Sequence, residues 1–355
     1  MKGLLLAGGH GTRLRPLTYT GNKHLLPIAN KPMLLYGLEH LKSAGIGEVA
    51  VILGPIKEGV EETLGDGSSF GIKITYVDQP EPKGLAHAVL ISEDFMAGEP
   101  FVMYLGDNLL KQGVQDFVRA FDRDGADCVV GVSPVKDPSR FGIAEIDEGK
   151  LVRLVEKPKE PKSNLALIGV YVFGPAIFDS VKKIKPSWRN ELEITDAIQR
   201  LLDEGRRVRV QKVNGWWKDT GRPEDLLEAN QLVLSDLEGN VEGEVSEDAQ
   251  VTGRVAIGKD SKVLEGSRIR GPVIIGKNCL IGPNVYVGPY TSVGDECLLK
   301  DTEVENSIVM NGSRIESGKK IVDSLIGSHS TILNSDATLP KGQKLIVGER
   351  SVLQI

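Results

Sequence analysis

Cysteine is scarce: Cys128, Cys279 and Cys297 are three in 355 residues, far apart and without any Cys-x-x-Cys. That excludes a disulfide framework and a zinc site of the usual spacing, and it leaves plain buried thiols. Positive charge is in deficit as well. With a formal net charge of -6, neither nucleic acid nor an anionic membrane surface is an expected partner, because both want a basic field. Long apolar runs are also missing. The N-terminal one, Leu4 to Ala7, is too short for a signal segment or a membrane span, so the cytoplasm is the expected compartment.

What is present, 40% hydrophobic and 26% charged residues, is an ordinary globular composition, and the length allows two domains with a sizeable core. The stretch from Leu4 through Ala7, Gly8, Gly9, His10, Gly11, Thr12 and Arg13 to Arg15 opens an apolar run into glycines and then two arginines. It reads as a buried strand emptying into an anion-binding turn, where bare backbone N–H groups approach an oxyanion and arginine neutralises it. Two commoner glycine loops fail. A P-loop counted from Gly8 needs its second glycine where the chain has Arg13, and a dinucleotide fingerprint counted from Gly9 needs glycine where it has Leu14.

From Lys2 to about Ser235 strand-like and helix-like segments alternate, the pattern of a mostly parallel sheet covered by helices. Ligands in such sheets sit beyond the carboxyl ends of the strands, so residues just past predicted strands are the candidates. Gln79 and Gly84 follow the predicted strand Ile72–Val77, ahead of a helix starting near Leu85. Asp107 follows Pro100–Leu105, and Asp219 follows Val208–Val213. A carboxylate at a strand tip can supply one oxygen to Mg2+, which keeps several waters and bridges to phosphates. Glu156 and Lys157 close the strand Leu151–Glu156 and offer a hydrogen-bond acceptor beside an ammonium. Arg189 lies in the loop before a helix near Ile194 and reads as a phosphate contact, with Glu193, Thr195 and Asp196 fixing that loop.

The segments Gly-Gly-x-Gly-Thr-Arg, Lys-x-Leu-Leu-Pro, Gln-Pro-x-Pro-x-Gly-Leu-Ala, Leu-Gly-Asp-Asn, Phe-Gly, Glu-Lys-Pro, Glu-Leu-Glu-Ile-Thr-Asp and Asp-Thr-Gly occur in order over nearly all of residues 1–230. This resembles the sugar-1-phosphate nucleotidylyltransferases, and among them the long form of the glucose-1-phosphate thymidylyltransferases, which carries an extra C-terminal domain. The resemblance implies a Rossmann-like α/β domain with a mostly parallel mixed sheet. It implies Mg2+-dependent in-line attack of glucose-1-phosphate on the α-phosphorus of dTTP, with release of pyrophosphate. It places Leu6, Ala7, Gly8, Gly9, Gly11, Thr12 and Arg13 around the triphosphate, Lys23 at the α-phosphoryl group, and Gln79 and Gly84 at the base. Asp107 and Asp219 take the metal, while Gly142, Glu156, Lys157, Gly169 and Arg189 take the phosphosugar; Arg13, Lys23, Asp107 and Asp219 form the catalytic set. Two positions depart from the short enzymes of the family: His24 replaces glutamine, and Phe141 replaces a common tyrosine, which removes a hydroxyl from the sugar side.

Two other readings stay open. UTP can stand in for dTTP, since contact with one methyl group discriminates by only about 1–3 kcal/mol. A sugar-nucleotide sensor without turnover is the second, although a mere binder does not need Lys23 and both carboxylates.

The C-terminal half follows another rule. Val245, Val251, Ile257, Val263, Ile269, Ile275, Ile281, Val287, Val293 and Leu299 recur every six residues, and Gly258, Gly276, Gly282, Gly288 and Gly294 each follow one of them. This is the hexapeptide rule of a left-handed parallel β-helix with glycine-assisted corners. After Leu299 the register slips and resumes through Ile315, Ile321, Ile326 and Ile332, which suggests coils with insertions or a bend. The expected domains are 1–235 and 236–355, joined by a linker over 235–243, and the β-helix is expected to favour a homo-oligomer. His329, the one histidine of this half, reads as a solvated turn residue and not as the base of an acyltransferase.

Overall fold

The computed structural model describes residues 1–334; the tail of the expected second domain, 335–355, lies outside the described residues. Two compact units emerge. The first comprises Met1–Thr12, Thr20–Leu26 and Pro32–Thr220, and the second Arg13–Tyr19, Pro27–Lys31 and the chain from Gly221 onward.

The principal elements of the first unit are, in chain order, β1 (Lys2–Ala7), α1 (Met33–Ser43), β2 (Glu48–Leu53), β3 (Lys73–Asp78), α2 (Leu85–Ile91), β4 (Phe101–Leu105), β5 (Asn108–Leu110), α3 (Gln115–Asp124), β6 (Cys128–Pro134), β7 (Gly142–Asp147), β8 (Lys150–Glu156), β9 (Leu165–Phe173), α4 (Ala176–Val181), α5 (Ile194–Asp203), β10 (Val208–Lys212) and β11 (Trp217–Asp219). Nine strands form one sheet in the order β8-β7-β9-β4-β1-β2-β3, with β6 also paired to β9 and β10 to β6. β1 runs parallel to β2 and β4, and β2 to β3, whereas β9 runs against β4 and β6, so the sheet is mixed and mostly parallel.

β1 lies between β2 and β4 because its run is apolar on both faces, as an interior parallel strand requires. Leu4 and Leu6 pack into one layer with Ile177 of α4 and Ala197 and Ile198 of α5. Leu5 and Ala7 pack into the opposite layer with Leu34, Leu38 and Leu41 of α1 and Phe117 and Phe121 of α3. The carboxyl ends of β1 to β4 therefore share one edge, and Gly8, Gln79 and Asp107 follow three of them.

In the second unit α6 (Pro223–Ser235) is followed by a strand at Asn240–Val241, so the coils start inside the stretch read as a linker. Short parallel strands stack into three sheets of six, six and five strands, the architecture expected of the left-handed β-helix. Val255 opposes Val273, which opposes Thr291, giving coils of 18 residues, or three hexads. Farther on, Val293 opposes Val309 and Val304 opposes Ile321, so those coils hold 16 and 17 residues. The slip after Leu299 is thus a loss of one or two residues per coil, not an insertion, and it brings Val304 and Val309 inward as well.

The corners match expectation only in part. Gly282 has φ 122°, but the left-handed backbone also falls on Asp260, Asn278 and Glu296, with φ of 61°, 54° and 58°, while Gly258 and Gly276 serve close stacking. A Cβ on Gly258 would lie 2.6 Å from the carbonyl carbon of Gly276, and one on Gly276 would lie 2.7 Å from that of Gly294. All three cysteines are free and buried. The thiol of Cys279 donates to the Gly294 carbonyl at 3.0 Å.

Asn230 on α6 is fully buried and ties the second unit's N-terminal segment to its coils. Its Oδ1 accepts from the Ala29 N–H at 2.8 Å and from Ser292 Oγ at 3.1 Å, and its Nδ2 donates to the Tyr290 carbonyl at 3.0 Å. Among the described residues no helix is long and apolar enough to cross a membrane.

Candidate active site

Beyond β1 the chain is held by Asn22. Its Nδ2 donates to the Ala7 carbonyl at 2.9 Å and to the Ile56 carbonyl at 2.6 Å, and its Oδ1 accepts from the His24 N–H at 2.9 Å. The same oxygen faces His24 Nδ1 at 2.7 Å; an amide oxygen only accepts, so the imidazole proton is assigned to Nδ1. Burial, aided by the neighbouring Lys23 charge, holds the His24 pKa down to about 3, and the ring is neutral. Asn22 thereby caps the short turn Lys23–Leu25 and fixes where Lys23 projects.

Lys23 Nζ forms an ion pair with Asp107 Oδ2, and Asn108 Nδ2 donates to Asp107 Oδ1 at 3.0 Å. Burial, the largest influence, would raise the Asp107 pKa, but the Lys23 charge together with the neighbouring His24 and the hydrogen bonds from Lys23 and Asn108 outweighs it and keeps the carboxyl well below its usual range. Asp107 sits at the tip of β4, where its carbonyl accepts from the N–H and hydroxyl of Thr220 at 3.1 and 2.7 Å. β11 pairs antiparallel with β5, setting Asp219 directly across from Asn108. Two carboxylate-bearing residues distant in sequence thus come to neighbouring backbone positions, Asp219 standing opposite the residue that follows Asp107. Their chemistry fits Mg2+, a hard cation that takes one or two carboxylates and fills its shell with water and phosphate oxygens. Among the described residues no group of three or more His, Cys, Asp or Glu side chains is placed to hold a metal, so an all-protein cage is not what this edge offers.

On the other flank Gln79 Nε2 donates to the Gly84 carbonyl at 3.2 Å and faces His87 Nδ1 at 2.9 Å. Gly84 has φ +96°, and a Cβ there would lie 2.5 Å from the Leu192 carbonyl oxygen, so no other residue fits. The Leu192 N–H in turn donates to the Lys83 carbonyl at 2.7 Å. Leu6, Gly8, Gly9, Lys23, Gln79, Gly84 and Asp107 line one cleft of about 210 Å³, and Glu191 forms part of its wall.

Glu191 leads to a second group. Arg189 Nη2 donates to Glu191 Oε2 at 2.8 Å and to Glu193 Oε2 at 2.8 Å, its Nε donates to Glu193 Oε1 at 3.0 Å, and Glu156 Oε1 lies 3.7 Å away. Lys157 Nζ is 3.5 Å from Glu156 Oε1. Lys157 itself holds φ +43° and donates its N–H to the Phe141 carbonyl at 3.0 Å, an unfavourable backbone for a lysine and of the kind that collects at binding sites. Burial, with repulsion from Glu193, raises the Glu156 pKa against the pull of Lys157 and Arg189. Gly142 lies beside Glu156, where a Cβ would come within 3.1 Å of Oε2. Gly169 lies on Asn108, whose Oδ1 accepts from the Gly169 N–H at 3.2 Å and from Trp217 Nε1 at 2.6 Å.

The structure therefore gathers most of the predicted residues into one cleft and one adjoining charged group. The Ala7 side chain turns into the core, and only its carbonyl serves the loop. Gly11, with φ 61°, and Thr12 complete the turn, while Arg13 groups with the second unit. Three organising residues escape the sequence reading: Asn22, Asn108 and Glu191. Each lies within two residues of a predicted site residue, which is the signal that could have found the two asparagines; Glu191 reveals itself only through its contact with Arg189.

The nucleotidyl transferase family profile matches residues 2–236, and that of the GMPPB C-terminal domain matches residues 269–350. The chain is 50% identical to the low-salt glycan biosynthesis nucleotidyltransferase Agl11 of Haloferax volcanii, over 100% of both chains. It is 47% identical to a glucose-1-phosphate thymidylyltransferase of Streptomyces griseus, over 100% of this chain and 99% of that one. A solved Bacillus anthracis structure, provisionally named a glucose-1-phosphate thymidylyltransferase and in complex with sucrose, superposes with a TM-score of 0.63 at 38% identity, covering 68% of this chain and 97% of its own. With the family profile spanning well over half its length and a relative matched end to end, this chain belongs to the nucleotidyl transferase family.

Proposed function

We propose that the protein transfers the thymidylyl group of dTTP to glucose-1-phosphate, giving dTDP-glucose and pyrophosphate. The carrying observation is the cleft that joins Gly8, Gly9, Lys23, Gln79, Gly84 and Asp107, walled by the same Glu191 that holds Arg189. The end-to-end likeness to an enzyme named for this activity supports it.

The backbone N–H groups of Gly8 and Gly9 receive phosphate oxygens, and Lys23 faces the α-phosphoryl group. Gln79 and Gly84 orient the base. Glu156 accepts hydrogen bonds from ring hydroxyls, and Lys157 and Arg189 hold the sugar phosphate. That phosphate is already an anion, so no general base is required, and catalysis reduces to alignment and charge compensation. Asp107 and Asp219 would hold Mg2+, which when bound neutralises charge between the two phosphorylated reactants.

The test is pyrophosphate release from dTTP, UTP, ATP, CTP and GTP, each with glucose-, galactose-, mannose- and N-acetylglucosamine-1-phosphate. The fastest turnover is expected for dTTP with glucose-1-phosphate. Preference for UTP would replace the thymidylyl reading by a uridylyl one, and silence throughout would leave a sugar-nucleotide sensor. A homo-oligomer in the cytoplasm is the accompanying expectation, the first part of which light scattering checks.

A further inference from the structure

The group assigned to the phosphosugar contains a conflict of charge. Glu156, Glu191 and Glu193 surround Arg189, with Lys157 as the second cation. Three carboxylates against two cations is a poor host for an incoming phosphate dianion. Something in the group has to give way when the substrate arrives.

The planar fork of an arginine has two edges, and the structure uses them differently. The side edge, Nε with Nη2, is closed on both oxygens of Glu193 at 3.0 and 2.8 Å. Glu193 is only 5% exposed and also accepts from Ser187 Oγ at 2.7 Å, so this contact is locked. The remaining Nη2 hydrogen belongs to the end edge, the one able to grip two oxygens of a phosphate at once, and it is occupied by Glu191 Oε2 at 2.8 Å. Glu191 is 32% exposed, against 19% for Glu156, and has room to withdraw.

We propose that Glu191 is an internal stand-in for the substrate phosphate. It occupies the end edge of Arg189 in the free enzyme, keeps the guanidinium aimed, and is displaced when the sugar phosphate takes that edge. Glu191 is therefore a positioning residue that sets phosphosugar affinity by intramolecular competition and leaves the transfer step alone. This rests on the phosphosugar reading of the Arg189 group.

Initial rates at saturating dTTP with varied glucose-1-phosphate test it. Glu191→Gln should lower KM for glucose-1-phosphate by about 3- to 5-fold, the range of a part-exposed ion pair, with kcat within about twofold. Glu193→Gln removes the same charge from the locked edge and should raise KM instead, because Arg189 loses its anchor. On an Arg189→Ala background, Glu191→Gln should have no effect on KM. An unchanged or raised KM in Glu191→Gln, a fall of equal size in Glu193→Gln, or the same fall without Arg189 would overturn the exchange. Wild-type enzyme silent with every sugar phosphate would instead defeat the functional reading, so the two failures are told apart.

Discussion

His24 shows how one buried side chain can carry a pH signature. Its folded-state pKa is depressed from 6.5 to about 3, so the stability it contributes is complete above pH 6.5 and drains away as the pH falls toward 3, where only the unfolded chain binds the proton. Over that window the wild-type protein should lose up to about 1.4 kcal/mol per pH unit more than His24→Gln. Urea unfolding of both proteins at pH 7, 6, 5 and 4 measures the difference, and parallel curves would contradict it. Asp107 carries two duties, and they can be separated. Asp107→Asn strands Lys23, whose side chain is 12% exposed, so stability should drop by about 3 kcal/mol along with a loss of turnover of about a hundredfold or more. Asp219→Asn should match that loss of turnover. Near-normal rates in both variants would remove the metal assignment.

At the scale of elements, the site depends on a short antiparallel pairing of strands distant in sequence and on one loop that allows no side chain. β5 and β11 bring Asp219 across from Asn108, and Asn108 then bonds the backbone of β9 where that strand slips its register between Leu167 and Tyr171. Asn108→Ala would leave the Gly169 N–H and the Trp217 indole N–H without this acceptor, at about 1–3 kcal/mol for each buried group. Thermal unfolding should register the loss, and an unchanged midpoint would contradict it. Gly84→Ala meets both a left-handed φ and the Leu192 carbonyl. The loop or the Glu191–Leu192 segment against it must move, and KM for dTTP should rise by about tenfold or more in initial rates at varied dTTP; an unchanged KM for dTTP would contradict the assignment of this loop to the base.

For the molecule as a whole, the two compact units do not follow chain order. Arg13–Tyr19 and Pro27–Lys31, which continue from the glycine turn and from Lys23, belong with the second unit. Asn230 is the hub there, fully buried and bonded to Ala29, Tyr290 and Ser292. Asn230→Ala should cost about 2–3 kcal/mol because several buried partners lose their bond together. Hydrogen exchange should show the Ala29 amide opening first, and unchanged protection at Ala29 would rule the hub out.

The sequence by itself determined the elements and the loops of glycine and charge that follow them. Apolar runs made β1 and β2 legible, and the six-residue repeat made the coils legible, because periodicity is a property of neighbours along the chain. Even there α3 leaves little local signal, its apolar Phe117, Val118, Ala120 and Phe121 lying among five charged residues. The late coils, which the sequence suggests carry insertions or a bend, are instead shortened, and only the stacking of one coil on the next shows which residue is missing. The tertiary structure alone decided that Asp219 lies across from Asn108, that Lys23 rests on Asp107, and that Arg189 has one locked and one exchangeable carboxylate. Such meetings are set by strand register and by competition among charges for one guanidinium, and neither leaves a trace in local order.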